Sequence, residues 1–526
     1  MIATVKTILT NALHLAKDKK AWLALVAGLL LTLSYAPFGI WPLTFACLAL
    51  AIYTTHTPQY GKQAGKKAVK YGFLFGLGWF GAGISWVHVS IATFGGMPLA
   101  ASVLLMGLLC AYLAIYPALA FMFAARLASG PTSYGLLLMT GFAITEYLRG
   151  VVMTGFPWLS FGYTQTDSPL NYLAPVIGEF GLTLVCITIG YALYRLVYSR
   201  EVKTTVVTVL CITVLFGVAH SNRSTNYSDK TISTLLVQGN IKQNLRFEPS
   251  EFWTTMSKYQ DMTRPHWGVD LVVWPEAAVP EIEALADRFL IGLDSAASFN
   301  KTALITGIVD YQIDTKTIFN TLIVLGNKER DDEHGHYQYL GKNRFQKHQL
   351  LPIGEFVPFE DILRPIAPLF DLPMSSFSRG DVVQNNLRAN GLNILPAICF
   401  EIAFANLVRG NYHSDSDILF TVSNDAWFGD SHGPHQHMQM ARMRALELQR
   451  PLIRVTNNGI SGVYDPISQT QISMPQFEAD ILKAEIKLID GDSLYSQYGN
   501  WPIWAVVLLM GIIGIAARFI GKKVRL

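Results

Sequence analysis

Cysteine is scarce in this chain, with only five residues among 526. Four of them lie within long apolar stretches, and these are Cys47, Cys110, Cys186 and Cys211. The fifth, Cys399, stands alone in a much more polar region. This distribution offers no framework of paired cysteines, which excludes a disulfide-stabilised architecture. We therefore expect Cys399 to be a free thiol.

Charged residues are also scarce, at 15% of the sequence, whereas hydrophobic residues make up 51%. This composition is too apolar for an ordinary soluble protein and too charged for a membrane bundle alone. The net charge of +3 is small for this length and gives no indication of a nucleic-acid-binding surface. No internal repeat is visible either. We therefore expect a composite of a membrane part and a globular part.

Eight apolar segments approach the length of about 20 residues that a helix needs to cross a bilayer. Seven come first, and they cover 21–36, 38–55, 71–92, 98–126, 132–150, 172–198 and 204–220. The eighth, 502–519, follows much later. The sequence thus predicts a transmembrane bundle of seven helices in 1–220, and an eighth helix with a basic tail in 501–526.

Basic residues are concentrated in alternate loops between these segments and near both termini. Their positions are Lys17, Lys19, Lys20, Lys62, Lys66, Lys67, Lys70, Arg126, Arg200, Lys203, Lys522, Lys523 and Arg525. Because cytoplasmic loops carry the excess of lysine and arginine, we expect both termini in the cytoplasm. The region 221–500 would then lie on the outer side of the cytoplasmic membrane.

The apolar residues of the region 221–500 are arranged differently from those of the predicted spans. Short apolar runs rich in β-branched residues alternate with stretches of helical periodicity. The predicted strands are Ile232–Val237, Leu271–Trp274, Ala303–Val309, Thr321–Leu325, Leu392–Ile398, Ile418–Val422 and Ile453–Thr456. The predicted helices include Ser250–Thr263 and His435–Arg450. This alternation is typical of a compact α/β domain.

Two segments of this domain place a charged side chain near the end of an apolar run. Pro275 stops the first run, so that Glu276 lies beyond the strand, where a carboxylate in apolar surroundings can act as a general base. Lys347 begins an irregular apolar loop that also contains Glu355, and a lysine there can stabilise an oxyanion. The plainer alternatives are an exposed loop carboxylate and a lysine that extends to solvent.

Cys399 lies between the predicted strand Leu392–Ile398 and an amphipathic stretch that closes on Arg409 and Gly410. The positive end of a helix dipole is expected to favour the thiolate form of a thiol just ahead of the helix. The thiolate would be a nucleophile. The alternative is a small buried core cysteine. Exported domains seldom keep an unpaired thiol, and Cys399 is the only cysteine of this region, which favours a functional role.

Glu276, Lys347 and Cys399, in that chain order on three strand ends, resemble the catalytic residues of the nitrilase superfamily. Longer motifs that cover essentially the whole chain resemble the apolipoprotein N-acyltransferases, a membrane-bound family within that superfamily. These motifs are TEYLRGVVMTGFPWLSFGYTQ, WPEAAVP, KHQLLPIGEFVPFE, SSFSRG, ICFEIAF, SNDAWFGDSHGPHQHMQMARMRALELQRPLIRVTNNGISG and YGNWP. The resemblance implies an α-helical membrane bundle of eight transmembrane helices with an inserted α/β domain, a nitrilase-like αββα sandwich.

The resemblance also implies an activity. This family transfers an acyl chain from a phospholipid, typically phosphatidylethanolamine, to the α-amino group of the diacylglyceryl-cysteine that begins an apolipoprotein. Cys399 would be the nucleophile, Glu276 the general base and Lys347 the residue that stabilises the oxyanion, in a ping-pong reaction without a cofactor. Glu355 would orient Lys347, and Glu401 would support the wall of the site. The expected location is the bacterial cytoplasmic (inner) membrane, with a periplasmic catalytic domain.

Six further residues are candidates for substrate binding because of their position or the family's pocket. They are Trp158, Phe247, Asn320, Phe400, Trp427 and Phe428. For the tryptophans and Phe428 the alternative is an ordinary aromatic belt at the membrane interface. For Phe400 the alternative is core packing. Phe247 stands where the family often has tryptophan, so a hydrogen-bonding role there is not expected to carry over.

Ionisable residues within spans are functional candidates by default. Here Glu146, Arg149 and Glu179 qualify, with a helix-locking pair of Glu146 and Arg149 as the equal alternative. The cluster His432, His435 and His437 lacks the additional ligands of a metal site, and we expect no metal.

Two other functions remain open. One is a membrane-anchored nitrilase-like amidase that acts on a small exported amide, but a soluble substrate gives no reason for eight spans. The other is a transporter with a degenerate extracellular domain, which would require corresponding broken helices in two repeated halves. The spans show no such repeat.

Overall fold

The computed structural model describes residues 17–94, 96–243, 245, 248–352, 354–356 and 377–523. Phe247 and the end of the segment KHQLLPIGEFVPFE lie outside the described residues. The described chain divides into two compact units. The first comprises the described parts of Met1–His88, Pro98–Asn222 and Tyr498–Leu526, and the second comprises Val89–Met97 and Arg223–Gln497. The sequence-based division did not assign the short segment Val89–Met97 to the second unit.

The α-helices of at least five residues are numbered here in chain order. They are α1 (Lys19–Leu31), α2 (Leu43–Thr55), α3 (Lys62–Gly83), α4 (Leu99–Leu127), α5 (Pro131–Val151), α6 (Ala174–Ser199), α7 (Lys203–Ser221), α8 (Phe252–Thr263), α9 (Glu283–Phe299), α10 (Ala405–Gly410), α11 (Gly433–Leu448), α12 (Leu494–Tyr498) and α13 (Trp501–Lys523). The first unit contains α1–α7 and α13.

Five helices in the described ranges are long and apolar enough to cross a membrane. They are Leu99–Leu127, Pro131–Thr154, Pro169–Ser199, Lys203–Ser221 and Trp501–Arg518. A sixth span results if Lys62–Gly83 and Val87–Thr93, which are bent by 59° relative to each other, are counted together. A helix lies at each of the eight predicted positions, but α1 and α2 have only 13 residues each. The structure therefore shows a multi-pass membrane protein without fixing the number of spans at eight.

Small residues allow the membrane helices to approach closely. A Cβ atom added to Gly78 of α3 would lie 2.2 Å from the Leu25 carbonyl oxygen of α1. A Cβ atom added to Gly76 would lie 2.7 Å from the Ala114 Cα atom of α4. Such contacts between backbones are the usual source of packing energy between helices in lipid, where no hydrophobic effect drives them together.

Arg149 of α5 is fully buried and forms an ion pair with Glu146 of the same helix. Its Nη1 group also donates to the carbonyl oxygens of Phe156 and Trp158, each at 2.6 Å. Arg149 thus donates hydrogen bonds to backbone carbonyl groups of the irregular segment that follows α5. This arrangement supports the structural alternative for the pair over a functional one. Glu179 accepts a hydrogen bond from Thr183 of α6 at 2.7 Å.

The second unit is built on two β-sheets. Its strands are β1 (Asn226–Gln238), β2 (Leu271–Val273), β3 (Val279–Ile282), β4 (Ala303–Gln312), β5 (Thr317–Gly326), β6 (Arg344–Gln346), β7 (Leu387–Ala389), β8 (Leu392–Ile398), β9 (Ile418–Ser423), β10 (Leu452–Thr456), β11 (Gly462–Asp465), β12 (Thr470–Ser473) and β13 (Asp480–Asp490). The first sheet has the order β13-β1-β2-β4-β5-β6 with β3 beside β4, and the second has the order β12-β11-β10-β9-β8-β7. All seven predicted strands are confirmed.

Alternation along the strands divides the side chains of this unit between two layers of core. Leu236 of β1 belongs to the cluster between the two sheets, together with Ile398 of β8. Its neighbour Leu235 points the other way and packs with Tyr259 of α8 and Leu290 of α9. Helix α11 packs on β10 of the second sheet. The layers therefore follow the expected order of helix, sheet, sheet and helix.

Candidate active site

The three predicted catalytic residues follow the ends of strands in the second unit. Glu276 lies beyond β2 and Lys347 directly follows β6, both in the first sheet. Cys399 directly follows β8 in the second sheet. Hydrogen bonds and electrostatic interactions connect the three, so that the site is assembled from both layers of the sandwich.

Lys347 is buried between two carboxylates. Its Nζ atom lies 2.9 Å from Glu355 Oε1 and 3.4 Å from Glu276 Oε1. Burial alone would lower the pKa of Lys347, but the two carboxylates and nearby Cys399 raise it well above its ordinary value. The ammonium group is therefore a permanent positive charge beside the thiol. The same contacts place Glu355 where the resemblance implies a residue that orients Lys347.

Asn320 of β5 connects the two carboxylates. Its Nδ2 atom donates to Glu276 Oε1 at 2.7 Å and to Glu355 Oε1 at 3.0 Å. Its carbonyl oxygen accepts a hydrogen bond from the Lys347 backbone at 2.8 Å. Asn320 was expected at the substrate pocket, and in the structure its amide contacts two charged residues of the site.

This geometry leads to a prediction for Asn320→Ala. We expect kcat to fall about 10- to 100-fold with little change in KM, because a hydrogen bond to a charged group contributes about 1.5–3 kcal/mol. Steady-state kinetics on the full-length protein would measure this. The control is Asn343→Ala, which removes an amide that is bonded, within the described part of the chain, only to the backbone of Arg388. A rise in KM at unchanged kcat would instead support the substrate-binding role expected from the sequence.

Glu276 is fixed by both of its carboxylate oxygens. In addition to the contacts at Oε1, its Oε2 atom accepts a hydrogen bond from the Asn424 backbone N–H at 2.9 Å. Asn424 directly follows β9 of the second sheet. The carboxylate is buried, and a carboxylate can accept a proton from a neighbouring group.

Cys399 occupies a strained turn at the end of β8. Its φ angle is +52°, a left-handed conformation that is costly for a residue with a side chain and is typical of functional sites. The side chain is partly exposed. Burial and the charge of Glu276 raise the pKa of the thiol to about 12. Cys399 is therefore a protonated thiol in the resting site, and a nucleophilic role would require a base.

This finding corrects the expectation that a helix dipole favours the thiolate. The residues after Cys399 form a 3-10 turn, Cys399–Ala403, and α10 begins only at Ala405. A single turn has a small dipole, and the burial of the sulfur with nearby carboxylates outweighs it. The predicted turn after the strand is present, but the surroundings of Cys399 raise the pKa of its thiol, whereas a helix dipole would lower it.

Glu401 joins the lysine loop to the cysteine turn. Its Oε1 atom accepts hydrogen bonds from the backbone N–H groups of His348 and Gln349, at 2.7 and 3.0 Å. Its Oε2 atom accepts one from Ile398, at 2.8 Å. Burial raises the pKa of Glu401 to about 7 even though these donors favour the charged form. One side chain thus fixes the spacing between Lys347 and Cys399.

The aromatic candidates differ in their surroundings. Trp427 and Phe428 are partly exposed in a 3-10 turn after β9, and Ser90 donates to the Trp427 carbonyl oxygen at 2.6 Å. Phe400 is buried against Phe404, as its core-packing alternative predicts. Trp158 is buried in the helical unit, where it packs with neighbouring aromatic rings.

The three histidines do not converge on one point. His437 of α11 contacts Asp425 and the Cys399 carbonyl oxygen, whereas His435 contacts Gln476. Among the residues described, no three His, Cys, Asp or Glu side chains are grouped so that they could hold a metal ion.

Sequence reasoning missed two polar side chains beside Cys399. Ser423 ends β9, and its Oγ atom lies 3.2 Å from Cys399 Sγ, while Asp425 accepts a hydrogen bond from Ser423. A signal was present in the motif SNDAWFG, whose polar residues directly follow a buried strand at the same edge of the domain. Only its aromatic residues were selected.

Comparisons with known proteins agree with this architecture. Residues 27–192 match the family model described as "Apolipoprotein N-acyltransferase N-terminal domain", and residues 236–494 match "Carbon-nitrogen hydrolase". Proteins named apolipoprotein N-acyltransferase are similar over nearly the whole chain. The relative from Photobacterium profundum is 46% identical and the match covers 93% of this chain and 94% of that protein. The relative from Shewanella oneidensis is 43% identical, with coverage of 97% and 99%.

Among solved structures, Nit3 of Saccharomyces cerevisiae, a member of the nitrilase superfamily, is similar with a TM-score of 0.36 and 16% identity. That match covers 53% of this chain and 98% of the Nit3 chain.

Proposed function

The chain belongs to the apolipoprotein N-acyltransferase family, and from that premise we propose that it N-acylates the α-amino group of the diacylglyceryl-cysteine that begins an apolipoprotein. The acyl donor is a phospholipid, with phosphatidylethanolamine as the first choice. The observation that carries the proposal is the free thiol of Cys399 beside a buried lysine and a buried glutamate in a multi-pass membrane protein. A thiol, a base and a fixed cation are the groups that acyl transfer needs.

In the first half-reaction Glu276 takes the proton from Cys399 Sγ, and the thiolate attacks the ester carbonyl carbon of the phospholipid. Lys347 stabilises the negative oxygen of the tetrahedral intermediate, because its charge is already in place and needs no reorganisation. The C–O bond then breaks, and Glu276 returns its proton to the lysophospholipid oxygen. The product on the protein is an acyl thioester of Cys399.

In the second half-reaction the neutral α-amino group of the apolipoprotein attacks the thioester carbonyl carbon. Glu276 accepts a proton from the amine, the C–S bond breaks, and the proton passes to the leaving sulfur. The amide product dissociates and Cys399 is again a thiol. Because lysophospholipid leaves before the second substrate reacts, the kinetics are of the ping-pong type.

The reaction takes place at the outer face of the bacterial cytoplasmic membrane. Eight spans with both termini in the cytoplasm put the catalytic domain in the periplasm, and the alternation of basic and uncharged loops supports this orientation. The short helices α1 and α2 would be the first two spans, which local thinning of the bilayer or oligomerisation can accommodate. The outer leaflet then presents both amphiphilic substrates to the site.

The proposal predicts which peptide the protein modifies. Purified protein with phosphatidylethanolamine should add one acyl chain to a diacylglyceryl-cysteinyl peptide with a free amino terminus, as measured by mass spectrometry. The same peptide with an acetylated amino terminus is the control and should remain unchanged, because it has no nucleophilic amine. Release of free fatty acid at equal rates with either peptide would contradict the proposal, since water would then be the acceptor.

A further inference from the structure

We infer that Ser423 is a further catalytic residue, whose hydroxyl group turns from Asp425 to the sulfur of Cys399 and stabilises the thiolate both as nucleophile and as leaving group. The inference rests on the proposed thioester chemistry, and it adds to that chemistry a hydrogen-bond donor on the sulfur itself. The resemblance assigned no role to Ser423.

Ser423 lies where it can serve two acceptors. It is the last residue of β9 and is fully buried. Its Oγ atom lies 2.6 Å from Asp425 Oδ1 and 3.2 Å from Cys399 Sγ. A hydroxyl group has a single proton, so it donates to one of these atoms at a time. The hydroxyl group donates to whichever of the two atoms is the stronger acceptor.

In the resting site the stronger acceptor is Asp425. Burial alone would raise the pKa of Asp425, but the guanidinium group of Arg454 holds it well below its usual range, so the group is a carboxylate. The sulfur is a protonated thiol, which is a weak acceptor. Ser423 therefore donates to Asp425 in the resting site, so that the thiol proton of Cys399 remains available to Glu276.

Proton transfer to Glu276 reverses this preference. The sulfur becomes an anion at 3.2 Å from the serine oxygen, while Asp425 keeps a second partner in Arg454, whose Nη2 atom lies 2.8 Å from Oδ2. Rotation of the hydroxyl group then adds a charge-assisted hydrogen bond to the thiolate without moving a heavy atom. The same bond forms when the thioester breaks and sulfur leaves as an anion.

His437 connects the strained turn at Cys399 to Arg454, the ion-pair partner of Asp425. The Cys399 carbonyl oxygen only accepts, so His437 Nε2, at 3.1 Å, must carry a proton. Nδ1 then accepts from Arg454 Nη2 at 3.0 Å. Burial and Arg454 lower the pKa of His437, which agrees with a neutral ring. His437 is thus a positioning residue that links the backbone of Cys399 to the partner of Asp425.

The test is the pH profile of Cys399 alkylation by iodoacetamide in the full-length protein, read by peptide mass spectrometry. We expect Ser423→Ala to slow alkylation about 10- to 100-fold at a given pH, since it removes a hydrogen bond to an anion, and to shift the profile to higher pH. The other charged groups that face the sulfur, Glu276, Lys347 and Glu355, remain in place.

Two variants separate this role from packing. Thr421→Val is the matched control, because Thr421 is buried on the same strand and its hydroxyl group makes no hydrogen bond within the described residues. Ser423→Thr keeps the hydroxyl group and should keep the profile. If Ser423→Ala fails to fold, Ser423→Gly replaces it with the same expected shift, because glycine also lacks the hydroxyl donor.

An unchanged alkylation profile in the folded Ser423 variant would overturn the inference, and so would an equal loss in Ser423→Thr or Thr421→Val. Alkylation requires neither phospholipid nor peptide, so its outcome does not depend on the proposed substrates. If wild type transfers no acyl chain to the peptide, the proposed function fails even where the alkylation profile shifts as expected.

Discussion

Wild-type protein incubated with phosphatidylethanolamine alone should gain the mass of one acyl group, and Cys399→Ala should gain none. The reason is that the first half-reaction ends in a thioester, which persists when no amine is present to accept the acyl chain. Intact-mass analysis of the full-length protein would measure the adduct, and neutral hydroxylamine should remove it. The expected effect is complete, because alanine has no atom that can take the place of the sulfur.

The control for this experiment is Cys211→Ala. Cys211 is an exposed free thiol in α7, and it would be acylated first if lipid reacted with cysteines without catalysis. The adduct should therefore persist in Cys211→Ala. An equal mass gain in Cys399→Ala and wild type would remove Cys399 from the mechanism.

Glu276→Gln should lower the rate of thioester formation about 100- to 10,000-fold, which is the usual contribution of a general base. Glutamine retains the shape of the side chain but cannot accept the proton of the thiol, and burial still keeps the pKa of that thiol above its ordinary value. Below that pKa the thiolate fraction increases about tenfold for each unit of pH. The residual rate of the variant should therefore rise steeply with pH, whereas the rate of wild type should be much flatter.

Single-turnover measurements between neutral and alkaline pH would show both the loss and the slope. Glu281→Gln is the matched control, because Glu281 is a partly exposed carboxylate on β3 whose hydrogen bond is to the backbone of its neighbour. A Glu276→Gln rate near that of wild type, with the same dependence on pH, would show that another group takes the proton.

The sequence was sufficient for those parts of the fold that depend on local patterns. The strand Leu392–Ile398 was predicted with its observed bounds, because a short, mostly apolar run before a turn is typical of a buried strand. Glu276 and Cys399 could be selected because each follows such a run, and Lys347 because it is a charged residue at the start of an irregular apolar loop. The alternation of Leu235 and Leu236 between two layers of core is likewise a property of any half-buried strand.

Features that depend on tertiary contacts were not accessible in this way. The sign of the pKa shift at Cys399 is set by burial and by Glu276, which lies far away in the sequence. The bridging role of Asn320 depends on two carboxylates that reach it from different loops. No local pattern assigns the segment Val89–Met97 to the second unit, because its apolar sequence equally fits the end of a membrane helix.

The hydrogen bonds between the two sheets give the thickness of the sandwich a direct effect on catalysis. Glu401 and Asn424, which follow strands of the second sheet, bind groups that follow strands of the first, at 2.7–3.0 Å. Apolar contacts between the sheets, such as that of Leu236 with its neighbours, weaken gradually as the layers move apart, whereas these polar contacts are lost within a fraction of an ångström. Substitutions that change the volume of the core should therefore reduce turnover before they prevent folding. Core residues between the sheets, such as Leu236, thus help to set the distance between Cys399 and Glu276.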